Sequence, residues 1–177
     1  MRRADEDQKM GVVATVNGRE RRFEVLPRVS LADSLREELG LYGVRVGCEH
    51  GVCGACTIIV DDLPVRSCLM LGVQADGKTI RTVEGLGGGK ELHPLQQAFQ
   101  RHHALQCGFC TSGILATAQA LLEENPRPTR DEVREVLSGN ICRCTGYQTI
   151  VDAIMDYAAR AQANDTAFDA GAGESAT

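Results

Sequence analysis

Four cysteines in the first half of the chain have a spacing that few kinds of site require. Three of them fall within nine residues in the pattern C-x4-C-x2-C, and eleven residues separate the third from the fourth. This pattern is typical of the thiolate ligands of a plant-type [2Fe–2S] cluster. The candidate ligands are Cys48, Cys53, Cys56 and Cys68. Any fold for this chain must therefore bring residues 48–56 and residue 68 to one place.

Three glycines, Gly47, Gly51 and Gly54, lie in the same loop. An oxidised cluster with four thiolates carries a net charge of about −2, so its sulfur atoms need hydrogen-bond donors. Successive backbone N–H groups of a tight loop can provide them. Glycine tolerates positive φ and lets the backbone approach a ligand closely. We therefore predict that these glycines shape the backbone of the cluster loop.

Other interpretations of the four cysteines are weaker. A disulfide framework needs an oxidising compartment, and we find no secretory signal. A four-cysteine zinc site usually consists of two short hooks, whereas here one loop supplies three ligands. A Rieske centre uses two histidines; Cys48-Glu49-His50 contains C-x-H, but no second C-x2-H follows. We interpret His50 as a loop residue and not as a ligand.

Composition limits the classes of function. The chain has 177 residues, eight cysteines and a net charge of −5, with no long basic run. These features argue for metal binding in a reducing compartment, against a nucleic-acid surface, and for a cytoplasmic location. We expect no membrane span, because no stretch reaches eighteen apolar residues.

The first half reads as a mixed α+β unit. Asn17-Gly18 is a hairpin signal between two strands, and Ser30 begins a helix with a capping pattern. The predicted elements are strands at 12–16, 22–26, 57–60 and 78–83, and a helix at 30–39. This order is compatible with a β-grasp ferredoxin fold, although spacing alone does not prove that topology.

The second half reads as helical. Pro94 suits the first position of a helix ending near residue 104, and Thr129 to Glu132 form a capping box. Apolar residues at helical spacing predict two more helices, around residues 114–122 and 150–158. The predicted organisation is a disordered N-terminus at 1–10, a [2Fe–2S] domain at 11–84, a Gly-rich linker at 85–92, a helical bundle domain at 93–162 and a disordered tail at 163–177.

A second set of cysteines lies at predicted helix ends. It consists of Cys107-x2-Cys110 and Cys142-x-Cys144, with 31 residues between the two pairs. On spacing alone, this set fits either zinc or [2Fe–2S]. Units of about 70–80 residues rarely gain more than ~3–5 kcal/mol from their cores. We therefore expect each half to be marginal without its metal site.

Four stretches, in this order, resemble one known family. They are Gly47 to Thr57, Arg66 to Cys68, Leu105 to Thr111 and Gly139 to Tyr147. Over residues 11–162 the chain resembles the iron–sulfur small subunit of the molybdenum hydroxylases, the xanthine dehydrogenase, aldehyde oxidoreductase and aerobic CO dehydrogenase family.

The resemblance implies an N-terminal β-grasp ferredoxin-like domain and a C-terminal four-helix bundle, each with a [2Fe–2S] cluster. Cys107, Cys110, Cys142 and Cys144 would hold the second cluster. Gln106 and Cys144 would contact a molybdopterin, in its cytosine dinucleotide form, on a large subunit. FAD would lie on a medium subunit, facing the first cluster. The assembly would be a dimer of heterotrimers.

In that family electrons pass from molybdenum to the second cluster, then to the first, then to FAD, so this chain would carry no catalytic residue. The loop Glu49-His50-Gly51 differs from that of the CO dehydrogenases in this family, so the resemblance favours an N-heteroaromatic compound or an aldehyde over CO as the substrate. Many members have proline at the position of Ser112. We expect the Ser112 side chain to cap the start of the helix that follows Cys110. A stand-alone ferredoxin-type carrier and a CO dehydrogenase small subunit are the alternatives.

Overall fold

A five-stranded mixed sheet forms the first half of the computed structural model, which describes residues 8–87 and 91–171. The strands are β1 (Met10–Val16), β2 (Arg19–Val25), β3 (Thr57–Val60), β4 (Leu63–Arg66) and β5 (Thr79–Arg81). Their order is β2-β1-β5-β3-β4, with β1 parallel to β5 and every other pair antiparallel. The Asn17-Gly18 hairpin is confirmed, since both residues have positive φ and Val16 pairs with Arg19. We call residues 10–81 the sheet unit.

Helix α1 (Leu31–Glu37) covers one face of this sheet. Ser30 caps the helix as predicted, because its Oγ accepts the Asp33 N–H at 3.1 Å. Leu31 and Leu35 are fully buried and share one core with residues of four strands, among them Val12 and Ile80. Strand alternation and helix periodicity therefore point their apolar residues into the same layer.

Four further helices form what we call the helical unit, residues 94–171. They are α2 (Pro94–Arg101), α3 (Thr111–Glu124), α4 (Arg130–Leu137) and α5 (Gln148–Gly171). Pro94 is the first residue of α2, and the capping box of Thr129 and Glu132 begins α4, as predicted. The helices surround a second core that includes Phe99, Ile114 and Ile154. The α+β class is thus confirmed.

Some predicted boundaries differ from the structure. Strand β1 begins at Met10, inside the predicted disordered N-terminus. Helix α5 continues to Gly171, nine residues past the predicted domain end at 162. Leu86, in the predicted linker, packs against the helical core. Residues 1–7 and 172–177, which were predicted to be disordered, lie outside the described residues. The same holds for residues 88–90 at the centre of the predicted linker.

The two units pack against each other through β3 and α3. Ile59 of β3 forms a buried cluster with Ala116 and Ala120 of α3. Arg81 of β5 makes a bidentate ion pair with Glu123 of α3, with N–O distances of 2.6 and 2.7 Å. The sheet and the helices therefore hold the two cysteine sets in a defined relation.

Arg66 is a further link, and its removal is expected to destabilise the protein. Its guanidinium donates to the Gly139 carbonyl and to Thr57 Oγ1, both at 2.6 Å. Because each hydrogen bond from a charged group contributes about 1.5–3 kcal/mol, the loss of both in Arg66→Met should lower the melting temperature by roughly 6–24 °C. Arg22→Met is the control, since its exposed pair with Glu20 contributes at most about 1 kcal/mol. Equal melting temperatures for the two variants would contradict a structural role for Arg66.

Two candidate metal centres

The first centre is a loop between α1 and β3, closed by the residue that follows β4. Its four thiols form two pairs in mutual contact: Cys48 with Cys53, and Cys56 with Cys68. Cys68 is brought to the loop by the short β3–β4 hairpin, in which Thr57 pairs with Arg66. The fold therefore brings together all four cysteines that the spacing predicted.

Backbone N–H groups surround these sulfur atoms. Cys48 Sγ accepts the Cys53 N–H at 3.4 Å, and this bond, with the N–H of His50, lowers the pKa of Cys48 to about 6. The Gly51 N–H is directed at Cys68, whose pKa burial nevertheless raises to about 11. The His50 ring is hydrogen-bonded to the Cys48 carbonyl. A loop that directs N–H groups at Cys48, Cys53 and Cys68 fits an anionic group bound between the thiols.

The second centre lies where three helix ends meet. Cys107 and Cys110 precede α3, and Cys142 and Cys144 lie between α4 and α5. The Sγ atoms of Cys107 and Cys144 are 3.6 Å apart, and the thiols of Cys110 and Cys142 also interact.

Donors face the second centre as well. Cys142 Sγ contacts the hydroxyl of Thr145 at 3.1 Å and accepts its N–H at 3.5 Å. The Phe109 N–H lowers the pKa of Cys107. Burial, together with the Cys142 thiol, raises the pKa of Cys110 to about 12. Like the first centre, this one therefore combines a half-buried thiol, Cys110, with thiols that hydrogen bonds favour as thiolates.

The pairing of the thiols bears on the two alternatives, zinc and [2Fe–2S], that spacing left open for the second set. Zinc takes its four ligands around one ion, so each sulfur would lie equally near the other three. A two-iron cluster takes two thiolates at each iron. The two pairs in each centre fit [2Fe–2S].

The predicted loop glycines serve two purposes. Gly51 has φ +82° and supplies the N–H that faces Cys68. At Gly47, by contrast, a Cβ would lie 3.0 Å from the ring of Phe109. At Gly54, which has φ +72°, a Cβ would lie 2.4 Å from the Gly139 carbonyl oxygen. Gly47 and Gly54 therefore give room to the helical unit.

Residues at this contact were not predicted from the sequence. The Ile141 N–H donates to the Cys53 carbonyl at 2.9 Å. The Asn140 side chain donates to the Gly54 carbonyl at 3.0 Å. Gly113 of α3 also lies against Gly54 O, where a Cβ would come within 2.2 Å. Cysteine spacing gives no signal for such contacts, because the partners are distant in sequence.

The second centre is open to solvent on one side. Cys107, Cys144 and Gln106 are exposed. The Gln106 carboxamide makes no hydrogen bond to any residue in the described part of the chain, so it is available to a partner. Large apolar side chains nearby in sequence are also exposed; they are Leu105, Phe109 and Ile141.

The expectation that Ser112 caps α3 was wrong. The N-cap residue is Cys110, and Ser112 is the second residue of the helix. A capping side chain must precede the first helical residue, so the Ser112 hydroxyl is in the wrong position. It is buried without a hydrogen-bond partner among the described residues.

Two family models match adjacent parts of the chain, which together span residues 14–155. A 2Fe-2S iron–sulfur cluster binding domain matches residues 14–82, and a [2Fe-2S] binding domain matches residues 82–155. These matches correspond to the sheet unit and to most of the helical unit. The chain therefore carries two [2Fe–2S] clusters.

Two similar proteins are named as subunits of oxidising enzymes, and a third has a solved structure. The chain is 63% identical to the nicotine 6-hydroxylase small subunit of Paenarthrobacter nicotinovorans, over 80% of this chain and 85% of that protein. It is 56% identical to caffeine dehydrogenase subunit gamma of Pseudomonas sp. (strain CBB1), over 79% of this chain and 86% of that protein. The crystal structure of quinoline 2-oxidoreductase from Pseudomonas putida 86 contains a chain that is 61% identical. It superimposes with a TM-score of 0.86, covering 88% of this chain and 98% of that chain.

Proposed function

The chain belongs to the family of iron–sulfur small subunits of molybdenum hydroxylases, and from this membership we propose how its residues carry electrons. Cys48, Cys53, Cys56 and Cys68 hold the first cluster, and Cys107, Cys110, Cys142 and Cys144 hold the second. The observation that carries this assignment is the arrangement of both sets as two thiol pairs. The sheet unit is a β-grasp fold, and α2 to α5 form a four-helix bundle.

The exposed side of the second centre faces a large subunit that binds molybdopterin. Its open edge contains the polar and sulfur groups that can contact the cofactor, Gln106 and Cys144. The apolar side chains there, Leu105 and Ile141, are exposed by about 40–50% in the isolated chain. Exposed apolar groups around a redox centre suit a protein interface that excludes water.

The first centre faces a medium subunit that binds FAD. Val52 in its loop and Leu69 beside Cys68 are 58% and 63% exposed. The two clusters supply one-electron transfer between the molybdenum centre and FAD. This chain holds them in fixed positions, and no residue of it takes part in the substrate reaction. The whole assembly is a dimer of such heterotrimers, with the pterin in its cytosine dinucleotide form.

The substrate class of the complex is an N-heteroaromatic compound. Among the relatives above, one is named for nicotine and one for caffeine, and the solved structure is named for quinoline. Aldehyde oxidoreductases match at a lower identity of 44–49%. The substrate pocket would lie on the large subunit, so this proposal rests on the relatives and not on residues of this chain.

Metal analysis and EPR of the purified complex test these proposals. We expect about four irons per small subunit, co-purifying molybdenum, and two distinct [2Fe–2S] signals after reduction with dithionite. To test the substrate class, quinoline or nicotine replaces dithionite, and benzaldehyde serves as the comparison. We expect either ring compound to reduce both clusters, so that both EPR signals appear.

Three outcomes would contradict the proposals. One EPR signal, with about two irons and one zinc per chain, would mean that the second cysteine set holds a structural zinc ion. A chain that purifies alone, without molybdenum, and accepts electrons would favour the ferredoxin-type carrier. Faster reduction by benzaldehyde than by either ring compound would overturn the substrate class.

A further inference from the structure

One hydrogen bond joins the ligand segments of the two centres. The Ile141 N–H donates to the carbonyl of Cys53 at 2.9 Å. Cys53 belongs to the first set of thiols, and Cys142, the next residue after Ile141, belongs to the second. A path of covalent bonds and a single hydrogen bond therefore runs from a sulfur of one centre to a sulfur of the other.

Asn140 holds this path in place. Its side chain is 1% exposed. Its Nδ2 donates to the Gly54 carbonyl at 3.0 Å, and its Oδ1 accepts the Thr117 hydroxyl at 3.0 Å. The carboxamide thus has a donor contact in the sheet unit and an acceptor contact in α3. The Gly54 carbonyl can only accept a hydrogen bond, so it fixes Nδ2 toward the sheet unit and leaves Oδ1 to accept the Thr117 hydroxyl.

Tyr147 fixes the other side of the same residue. Its hydroxyl donates to the Asn140 carbonyl at 3.0 Å and accepts the Cys142 N–H at 2.7 Å. The backbone from Asn140 to Cys142 is therefore held at both of its ends. A buried polar group with partners in three segments has few positions open to it.

We propose that Asn140 is a positioning residue for electron transfer between the two clusters. Its carboxamide holds residues 53 and 54 against residues 140–142 and so sets the separation and the hydrogen-bonded path between the clusters. In the step concerned, one electron leaves the reduced second cluster and enters the oxidised first cluster, and no proton moves. Electron tunnelling falls steeply with separation, so a small opening of this contact slows the step. The inference rests on the ligand sets proposed above.

EPR of the fully reduced complex tests the role, because two paramagnetic clusters split each other's signals according to their separation and the path between them. Asn140→Ala is expected to keep about four irons per chain and both signals but to lose part or all of the splitting. Arg81→Met is the matched control: it removes the ion pair with Glu123 across the same two units but touches neither cluster loop. It should keep the wild-type splitting.

Thr117→Val gives a second, milder test. It removes only the hydroxyl that orients the Asn140 carboxamide and keeps the size of the side chain, so it should reduce the splitting less than Asn140→Ala. If the alanine variant does not accumulate, the valine variant decides the question. Wild-type splitting in a variant that holds both clusters overturns the positioning role. Failure of the ligand assignment has a different signature, because the wild-type complex itself would then lack two [2Fe–2S] signals.

Discussion

Gly54→Ala is expected to open the contact between the two units and to cost the first cluster part of its occupancy. Gly54 has φ +72°, and an added Cβ would lie 2.4 Å from the Gly139 carbonyl oxygen and 2.7 Å from Asn140 Nδ2. The left-handed backbone costs alanine about 1–2 kcal/mol, and overpacking adds about 1–3 kcal/mol. The melting temperature of the cluster-loaded chain should fall by roughly 4–20 °C, with a lower iron content.

Gly77→Ala separates the two contributions. Gly77 has nearly the same φ, +71°, but no atom lies within 4 Å of an added Cβ. This variant should show only the backbone cost, about 1–2 kcal/mol or roughly 2–8 °C, and should keep its iron. The difference between the variants then measures the steric contact with residues 139 and 140. Equal losses of stability, with equal iron, would show that the helical unit does not press on the loop.

Local patterns explain why much of the fold was predictable. The Asn17-Gly18 turn, the Ser30 cap and the Thr129 capping box each depend on residues within four positions. Cysteine spacing is equally local for the first three ligands, because one short loop carries them. These signals predicted the strands of the first hairpin, the starts of α1 and α4, and the type of centre.

Contacts between the units were not predictable in this way. Arg66 and Gly139 are 73 positions apart, and Asn140 and Gly54 are 86 apart. No periodicity or motif encodes which carbonyl such a side chain will meet, since the packing of α3 on β3 decides it. The end of α5 was missed for a different reason: the sequence after residue 162 has no apolar periodicity, which is the signal on which the helix prediction depended.

Exchanging one cysteine in each centre for serine is expected to remove one cluster and leave the other. Cys68→Ser takes a ligand from the pair with Cys56, and Cys110→Ser takes one from the pair with Cys142. Each variant should fall from about four irons to about two per chain, and each should lose a different EPR signal. Ser112→Ala is the control for changes near Cys110, because its buried hydroxyl has no partner in the described residues. It should keep both clusters.

The loss of a cluster should also loosen the backbone around it. Residues 38–56 contain no helix or strand, and neither do residues 138–147, so the ligands of each centre lie largely on irregular backbone. Where binding and folding are coupled, the free energy of metal binding contributes to that of folding. Hydrogen exchange should therefore speed up in residues 41–56 of Cys68→Ser and in residues 138–147 of Cys110→Ser. The apolar cores at Leu35 and Ile154 are fully buried and keep the remaining helices and strands in place. A Cys110→Ser chain with about four irons, or with unchanged exchange in residues 138–147, would contradict the assignment of the second ligand set.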